Sequence, residues 1–580
     1  MADEEFDMER WITDWPVSAR YPVYTRANAG EVLPDPSSPL NATLVWNKGL
    51  NIGWREGYAH TLGTHREDEI DEKMPETIGN FAGYHYVNFS VTELIGARLP
   101  GMTVPVWNSL WVGDHPDTPQ YVEKPGDIDP SLTEALIEKT QWVLSTTSFP
   151  EVEETRRRAR IARESRPDLT TLTDSDLVER ARSFVDDLIY GYAYHVPTTS
   201  LSMVGPATVG PLLAEIGEED KLGMLLSGLG DVDSAAPSFK MWDLGRIART
   251  SPELNRLFDQ GTGGLLERIE DSDDEAAKKF VHGFDELIYE YGSRAPNEWD
   301  LRSDSWESKP ELALTAIDGM RRSSDDANPY EIRDENRIKR EKLTQELAAR
   351  MPTDEARDSF LAACTAITRW MPWRERTKTS CVRSMGEMRM AFYELGRRMV
   401  DRGVIADHHD ITMVKDDELD AFIADPESFQ DEIATRLRNY QLLFELEPPF
   451  FLTENKPLSQ WPRRKGRKVE HAATGDVLTG VGGSPGVARG RARIITDPFE
   501  VGDYGPGDVL IAPQTDPAWT PLFVPAEAVV VNVGATITHA VIVCRELGLP
   551  CAVSVGDATL RIPDGAMVEV DGTAGTVTLL

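Results

Sequence analysis

The sequence predicts an α+β multidomain protein, with a mainly α-helical body followed by a compact β/α module. Three observations predict it. The chain has 580 residues, enough for two to four domains, and 40% of them are hydrophobic, enough for real cores. From about residue 130 to about 445, apolar residues recur at three- and four-residue spacing. Over roughly the last hundred residues the pattern becomes short β-rich runs divided by Gly, Pro and Asp.

The elements follow in order. Residues 1 to about 130 read as mixed structure. "YTRANAGEVLPDPSSPL" (24–40) is rich in Pro, Asn and Asp and reads as an ordered loop, neither helix nor strand. "GYHYVNFSVTEL" (83–94) alternates enough for a strand leading into a turn. In the helical stretch, Leu177, Ala181, Phe184, Leu188 and Tyr192 form one stripe behind a cap at Thr173 or Ser175. Met385, Met388, Phe392, Leu395 and Met399 form another, closed by Gly403, and read as core. "ENKPLSQWPRRKGRKVEHAATG" (454–475) has Pro, Gly and six basic residues and reads as an exposed linker, or a patch that meets an acidic partner. The expected domains are therefore 1–453, a linker at 454–475, and the module at 476–580.

Bulk chemistry narrows the function. The net charge of −36 argues against nucleic acid and against anionic membrane surfaces. No apolar run approaches the roughly 18 residues of a membrane span. The N-terminus, "MADEEFDMER", lacks the apolar segment of a secretory signal. The four cysteines, Cys364, Cys381, Cys544 and Cys551, read as reduced thiols in a cytoplasmic protein.

The sharpest local signal is "VGATITHAVIVCRELGLP". A buried strand, Val529 to Val533, ends at Gly534. Ala540, Val543, Cys544 and Leu547 then share one helical face, with Arg545 and Glu546 facing out, and Gly548 and Pro550 stop the helix. His539 thus opens a helix, where unpaired N–H groups and the positive end of the dipole keep its ring neutral and nucleophilic. The same N–H groups and the hydroxyls of Thr536 and Thr538 can stabilise phosphoryl oxygens. The position suits a covalent phosphate carrier, an anion site without chemistry, or a histidine that caps a helix by chance.

Residues 476–580 resemble the phosphohistidine domain of phosphoenolpyruvate-utilising enzymes. The resemblance rests on "GATITHAVIVCRELGLPCAVSVGDATLRIPDGAMVEVDGTAGTVTLL", on "GVGGSPGVARGRARIITDP" and on "PGDVLIAPQTDPAWTPLF". It implies a swivelling domain with His539 as phosphoryl acceptor and Gly534, Thr536 and Thr538 around the phosphate. The chain departs from the family at Ala535, where a second glycine is usual. The rest resembles the substrate domain of rifampin phosphotransferases and phenylphosphate synthases. That likeness rests on the two stretches at 24–40 and 83–94, on "YGSRAPNEWDL" (291–301), on "RERTK" (374–378) and on "ELGRRMVDRGVIADHHDITMVKDDEL".

Within that resemblance, Arg374 and Lys378 stand four apart on a helix and can hold phosphate oxygens, or bridge to nearby acids. Glu31 can orient or deprotonate an acceptor hydroxyl, or order its loop. Arg26, Asn28, Arg294 and Glu298 are candidate substrate contacts, although Arg294, Glu298 and Asp300 also read as a buried ion-pair network. His408 and His409 are adjacent and expected to point apart, so no metal is expected. The implied function is an acceptor-plus-carrier subunit of an ATP-dependent phosphotransferase. ATP and Mg²⁺ would be held by a separate ATP-grasp subunit, and the acceptor would be a small organic, phenol-like hydroxyl. The alternatives are an antibiotic-phosphorylating enzyme, or a phosphohistidine relay without small-molecule chemistry.

Overall fold

The computed structural model describes residues 6–580 apart from 72, 74, 75, 114, 231, 465–469, 499 and 535–537. The chain divides into two units. The first takes residues 1–201, 299–303 and 377–467, and the second takes 202–298, 304–376 and 468–580. One crossing, at Arg467/Lys468, falls inside the expected linker. The single body expected over 1–453 is divided, because 202–298 and 304–376 share their core with the C-terminal module.

The first unit contains an antiparallel sheet of β1 (Tyr24–Thr25), β2 (Ile78–Phe81), β3 (Tyr84–Asn88) and β4 (Phe451–Leu452), in the order β2-β3-β1-β4. β3 is the strand expected after Gly83. A helix, Phe89–Arg98, replaces the expected turn, because the Asn88 side chain caps it by accepting the Val91 N–H. The 24–40 stretch is not all loop, since it holds β1 and a one-turn helix, Ala29–Val32. Thr173 caps Asp174–Ser183 in a capping box with Asp176. The first stripe is broken at Phe184, where a second helix, Val185–Leu201, begins. The second stripe lies on one helix, Asp354–Asp401, and all five of its residues are buried. That helix passes from the second unit into the first at Arg376/Thr377. The expected linker is tied down before its undescribed centre, where the Arg464 N–H donates to the Glu445 carbonyl.

The second unit carries an eight-stranded sheet of β5 (Val477–Thr479), β6 (Val481–Ser484), β7 (Val487–Ile494), β8 (Asp508–Ala512), β9 (Ala528–Val531), β10 (Cys551–Val553), β11 (Met567–Asp571) and β12 (Thr576–Leu579). The order is β5-β12-β11-β7-β8-β9-β10-β6, with β7 to β10 parallel. The parallel centre is covered on both faces, as parallel sheets require. Val509, Ile511, Ala528 and Val530 point into one core. Leu510, Ala512, Val529 and Val531 point into the other, shared with Met241, Phe280, Ile317 and other residues of the helices before it. β9 ends at Val531, so the strand is shorter than expected, and Val533 is exposed. Among the described residues no helix is long and apolar enough to cross a membrane.

Candidate functional site

The helix after β9 runs His539–Leu547, as the sequence pattern predicts. Thr538 is the N-cap, in extended conformation, and Gly548 ends the helix at φ 68°, where a side chain would be strained. His539 is therefore the first helical residue, and it is only 9% exposed. Two hydroxyls grip its ring. Thr515 Oγ1 lies 3.2 Å from Nδ1, and Thr520 Oγ1 lies 2.9 Å from Nε2. A neutral imidazole donates from one nitrogen and accepts at the other, and a hydroxyl satisfies either need. The Phe523 ring stands 5.8 Å away and closes one side.

Gly534 and Thr538 bracket the undescribed residues 535–537. Thr538 Oγ1 is buried and has no hydrogen-bond partner among the described residues. A Cβ on Gly534 would come within 3.3 Å of that oxygen and 3.1 Å of Val553 Cβ, so glycine keeps this approach open. Thr536, the third expected phosphate contact, and Ala535 lie outside the described residues.

Thr515 and Thr520 frame the turn that approaches His539, and sequence reasoning did not single them out. The usable signal was the pair of hydroxyls flanking Asp516 in "TDPAWT". Asp516 accepts the Ala518 N–H through one oxygen and the Asn297 N–H, at 3.0 Å, through the other. That second bond joins the turn to the expected substrate residues at 294–298. There Arg294 and Glu298 pair at 3.1 Å, each 1% exposed, and Arg294 also reaches the Asp233 carbonyl at 3.4 Å. Arg376, also missed, stands 3.8 Å from Asp233. The buried network is therefore Arg294, Glu298, Asp233 and Arg376. Asp300 does not belong to it, because its carboxylate instead takes the backbone N–H and hydroxyl of Ser38 in the first unit.

Arg374 and Lys378 lie on the same helix, and the division between units falls between them. Arg374 faces Glu375 at 3.7 Å in the second unit, and Lys378 is half-buried in the first. Arg26, Asn28 and Glu31 also fall in the first unit. Arg26, expected as a substrate contact, is tied to the backbone of its own unit. It is buried, and its guanidinium donates to the carbonyls of His85, Leu33 and Pro34 at 2.7, 2.9 and 3.2 Å, so it orders the loop. Asn28 is exposed at φ 60°, and Glu31 is half-buried in the one-turn helix. His408 and His409 do not point apart, because the tight turn His408–Met413 brings their rings within 3.8 Å of each other, tilted by 36°.

Arg545 and Glu546, expected to face out, are both buried, at 6% and 2% exposure. Arg545 Nε donates to the Gly483 carbonyl of β6 at 3.0 Å, and Glu546 Oε1 accepts the Leu229 N–H. Ile542 packs against Val232, Ala235 and Phe239.

Residues 194–375 match the family described as "Rifampicin phosphotransferase fourth domain", and residues 504–575 match "PEP-utilising enzyme, mobile domain". The chain is 27% identical to an uncharacterized phosphotransferase, YvkC, of Bacillus subtilis, over 59% of this chain and 41% of that protein. It is 29% identical to the prodigiosin synthesizing transferase PigC of Serratia marcescens, over 56% and 36%. It is 26% identical to the rifampicin phosphotransferase of a Streptomyces species, over 79% and 51%. The chain thus spans about half or less of the length of these relatives. Two stretches of the chain are thus similar to domains of PEP-utilising enzymes and rifampicin phosphotransferases, and His539 lies inside the stretch that matches the mobile domain.

Proposed function

We propose that this chain carries a phosphoryl group on His539 and passes it to the hydroxyl of a small organic acceptor. One observation carries the reading. His539 opens a helix of the mobile domain, its ring is held at both nitrogens by Thr515 and Thr520, and Thr538 Oγ1 waits beside it without a partner among the described residues. In the first step an imidazole nitrogen attacks the β-phosphorus of the donor, the P–O bond to AMP breaks, and water takes the γ-phosphoryl, which leaves as phosphate. In the second, the acceptor oxygen attacks, the P–N bond breaks, and the electron pair returns to the ring. Positioning and charge stabilisation supply the catalysis, with Arg374 and Lys378 as cations and Glu31 as acceptor-side base.

The donor in this reading is ATP with Mg²⁺, bound by a separate ATP-binding subunit. The net reaction converts ATP, water and an alcohol into AMP, phosphate and a phosphoester. An aromatic acceptor is supported by the first unit. There Trp46 lies 4.6 Å from His85 and 6.1 Å from Tyr192, and His195 stacks 6.0 Å from Trp299. Trp46 Nε1 and both ring nitrogens of His85 are buried without partners among the described residues, which suits a flat guest bearing a hydroxyl. The absence of any disulfide among the four buried thiols fits a reducing compartment, the cytoplasm.

The test is intact-mass spectrometry at alkaline pH after incubation with ATP, Mg²⁺ and an ATP-binding partner. One acid-labile phosphoryl adduct is expected, absent in His539→Ala. An adduct that survives in the variant, or no adduct with any partner, refutes the carrier role.

A further inference from the structure

Glu546 is a carboxylate that the reaction does not use. It sits at the far end of the His539 helix and is 2% exposed. Its Oε1 accepts the Leu229 N–H at 2.8 Å, and its Oε2 lies 3.5 Å from the Gly230 nitrogen. Two successive backbone N–H groups aimed at one anion form a nest, a concavity that proteins use to hold carboxylates and phosphates.

Residues other than Glu546 hold this nest. Gly228 has φ 60°, and a Cβ there would come within 2.4 Å of the Arg337 backbone nitrogen, so the loop is pressed onto the helix Pro329–Ala348 in a way that only glycine permits. Arg340 of that helix donates to the carbonyls of Ser227 and Gly228. With its carbonyls held on one side, the loop presents its next two N–H groups on the other. Asn336 of the same helix donates to the Arg545 carbonyl at 3.2 Å and gives a second tie beside the first. The His539 helix is thus tied at its C-terminal end by Glu546 on the nest, and the turn whose Thr515 and Thr520 hold the His539 ring is tied by Asp516 to the Asn297 N–H.

We infer that Glu546 and the Leu229–Gly230 nest form a docking latch, which fixes the mobile domain against the helices of 202–376. Glu546 is then a positioning residue, setting where His539 is presented and touching no reacting atom. A carrier that must reach a donor has to leave this position, and the latch is suited to release. Its carboxylate is stripped of water in the docked pose and regains it on leaving, whereas an apolar contact of equal area would only lose. The consequence for phosphoryl transfer rests on the function proposed above; the latch itself does not.

The experiment measures pose without any donor. Spin labels are placed at His282→Cys and Val477→Cys, two exposed positions of the second unit, while the four native thiols are buried. Electron–electron double resonance of the full chain is expected to show one dominant distance. Glu546→Ala is expected to add a longer population of at least several-fold greater weight, and Glu546→Gln, neutral and still an acceptor, to add none. If Glu546→Ala does not melt cooperatively, Asn336→Ala is measured in its place and must show the longer population. An unchanged single distance in a folded variant, or a wild-type chain with no dominant distance, overturns the latch. Because no donor is present, that outcome is separate from a missing phosphoryl adduct, which overturns only the carrier reading.

Discussion

Thr520→Val tests the grip on His539. The substitution is nearly isosteric, so it removes a hydroxyl and opens no cavity. His539 is 9% exposed, and Thr520 Oγ1 stands 2.9 Å from its Nε2. A reagent that acylates neutral imidazoles must wait for the ring to open away from this partner. A hydrogen bond of this kind contributes a net of about 0.5–1.5 kcal/mol, which converts to a roughly 2- to 13-fold rise in reactivity when it is lost. Diethyl pyrocarbonate labelling, read residue by residue by mass spectrometry, measures this directly. The other nine of the ten histidines serve as internal standards. Thr515→Val should act less on the same nitrogen, since its bond is longer, 3.2 Å, and falls on Nδ1. Labelling of His539 that changes by less than twofold in Thr520→Val, with the other histidines unchanged, would refute the proposed grip.

Three other outcomes are expected. Arg26→Ala should destabilise the first unit by more than about 3 kcal/mol, because three carbonyls lose a charged donor in a buried loop; a shift of the urea midpoint equivalent to under about 1 kcal/mol would return Arg26 to the list of substrate contacts. Docking should weaken as pH rises. Burial holds the Glu546 carboxyl above the usual carboxylate range, only partly offset by the nest N–H groups and by Arg340 and Arg333. A carboxyl raised in the docked state takes up a proton on docking, so the docked population is greatest at acid pH and falls as pH rises through the docked value; the spin-label distance should show this trend, and Glu546→Gln should abolish it. The thiols should be inert, since burial pushes both Cys364 and Cys381 up to about 12, and Cys544 and Cys551 are fully buried; a disulfide reagent at pH 8 should find four thiols only after denaturation.

The parts of this structure that were legible in the sequence are those set by neighbours in the chain. The helix His539–Leu547 was readable because a Gly and a Pro stop it and its apolar face recurs at helical spacing. The cap at Thr173 and the stripe from Met385 to Met399 were readable for the same reason. What stayed hidden depended on partners far along the chain. Thr515 and Thr520 reach His539 from 24 and 19 residues away, and the pair of hydroxyls in "TDPAWT" does not by itself say which residue they hold. The Arg26 guanidinium meets a carbonyl 59 residues on, so from sequence it passed for a free donor. Arg545 and Glu546 looked exposed because helical periodicity places them opposite the apolar face. Glu546 is buried by a loop more than 300 residues earlier, and Arg545 turns back onto the Gly483 carbonyl of β6, 62 residues away. The division into units was hidden too, since it follows a shared core and not a change of composition.

The edge of the eight-stranded sheet has one last consequence. β5, the first strand of the module, pairs with β12, its last. The Gly475 N–H donates to the Leu579 carbonyl at 2.8 Å, and the Leu579 N–H returns to Asp476 at 3.0 Å. Entry and exit therefore lie side by side, so the module is a cassette: it can be excised, permuted or grafted into a foreign loop without cutting a strand at its centre. Its independence is not complete, because the face that carries Trp519, Leu522 and Phe523 shares its core with the preceding helices. A transplanted copy would keep its topology and expose an apolar face. A new host would have to supply a cover of matching shape, and lineages that exchange such cassettes would have to move the receiving helices with them.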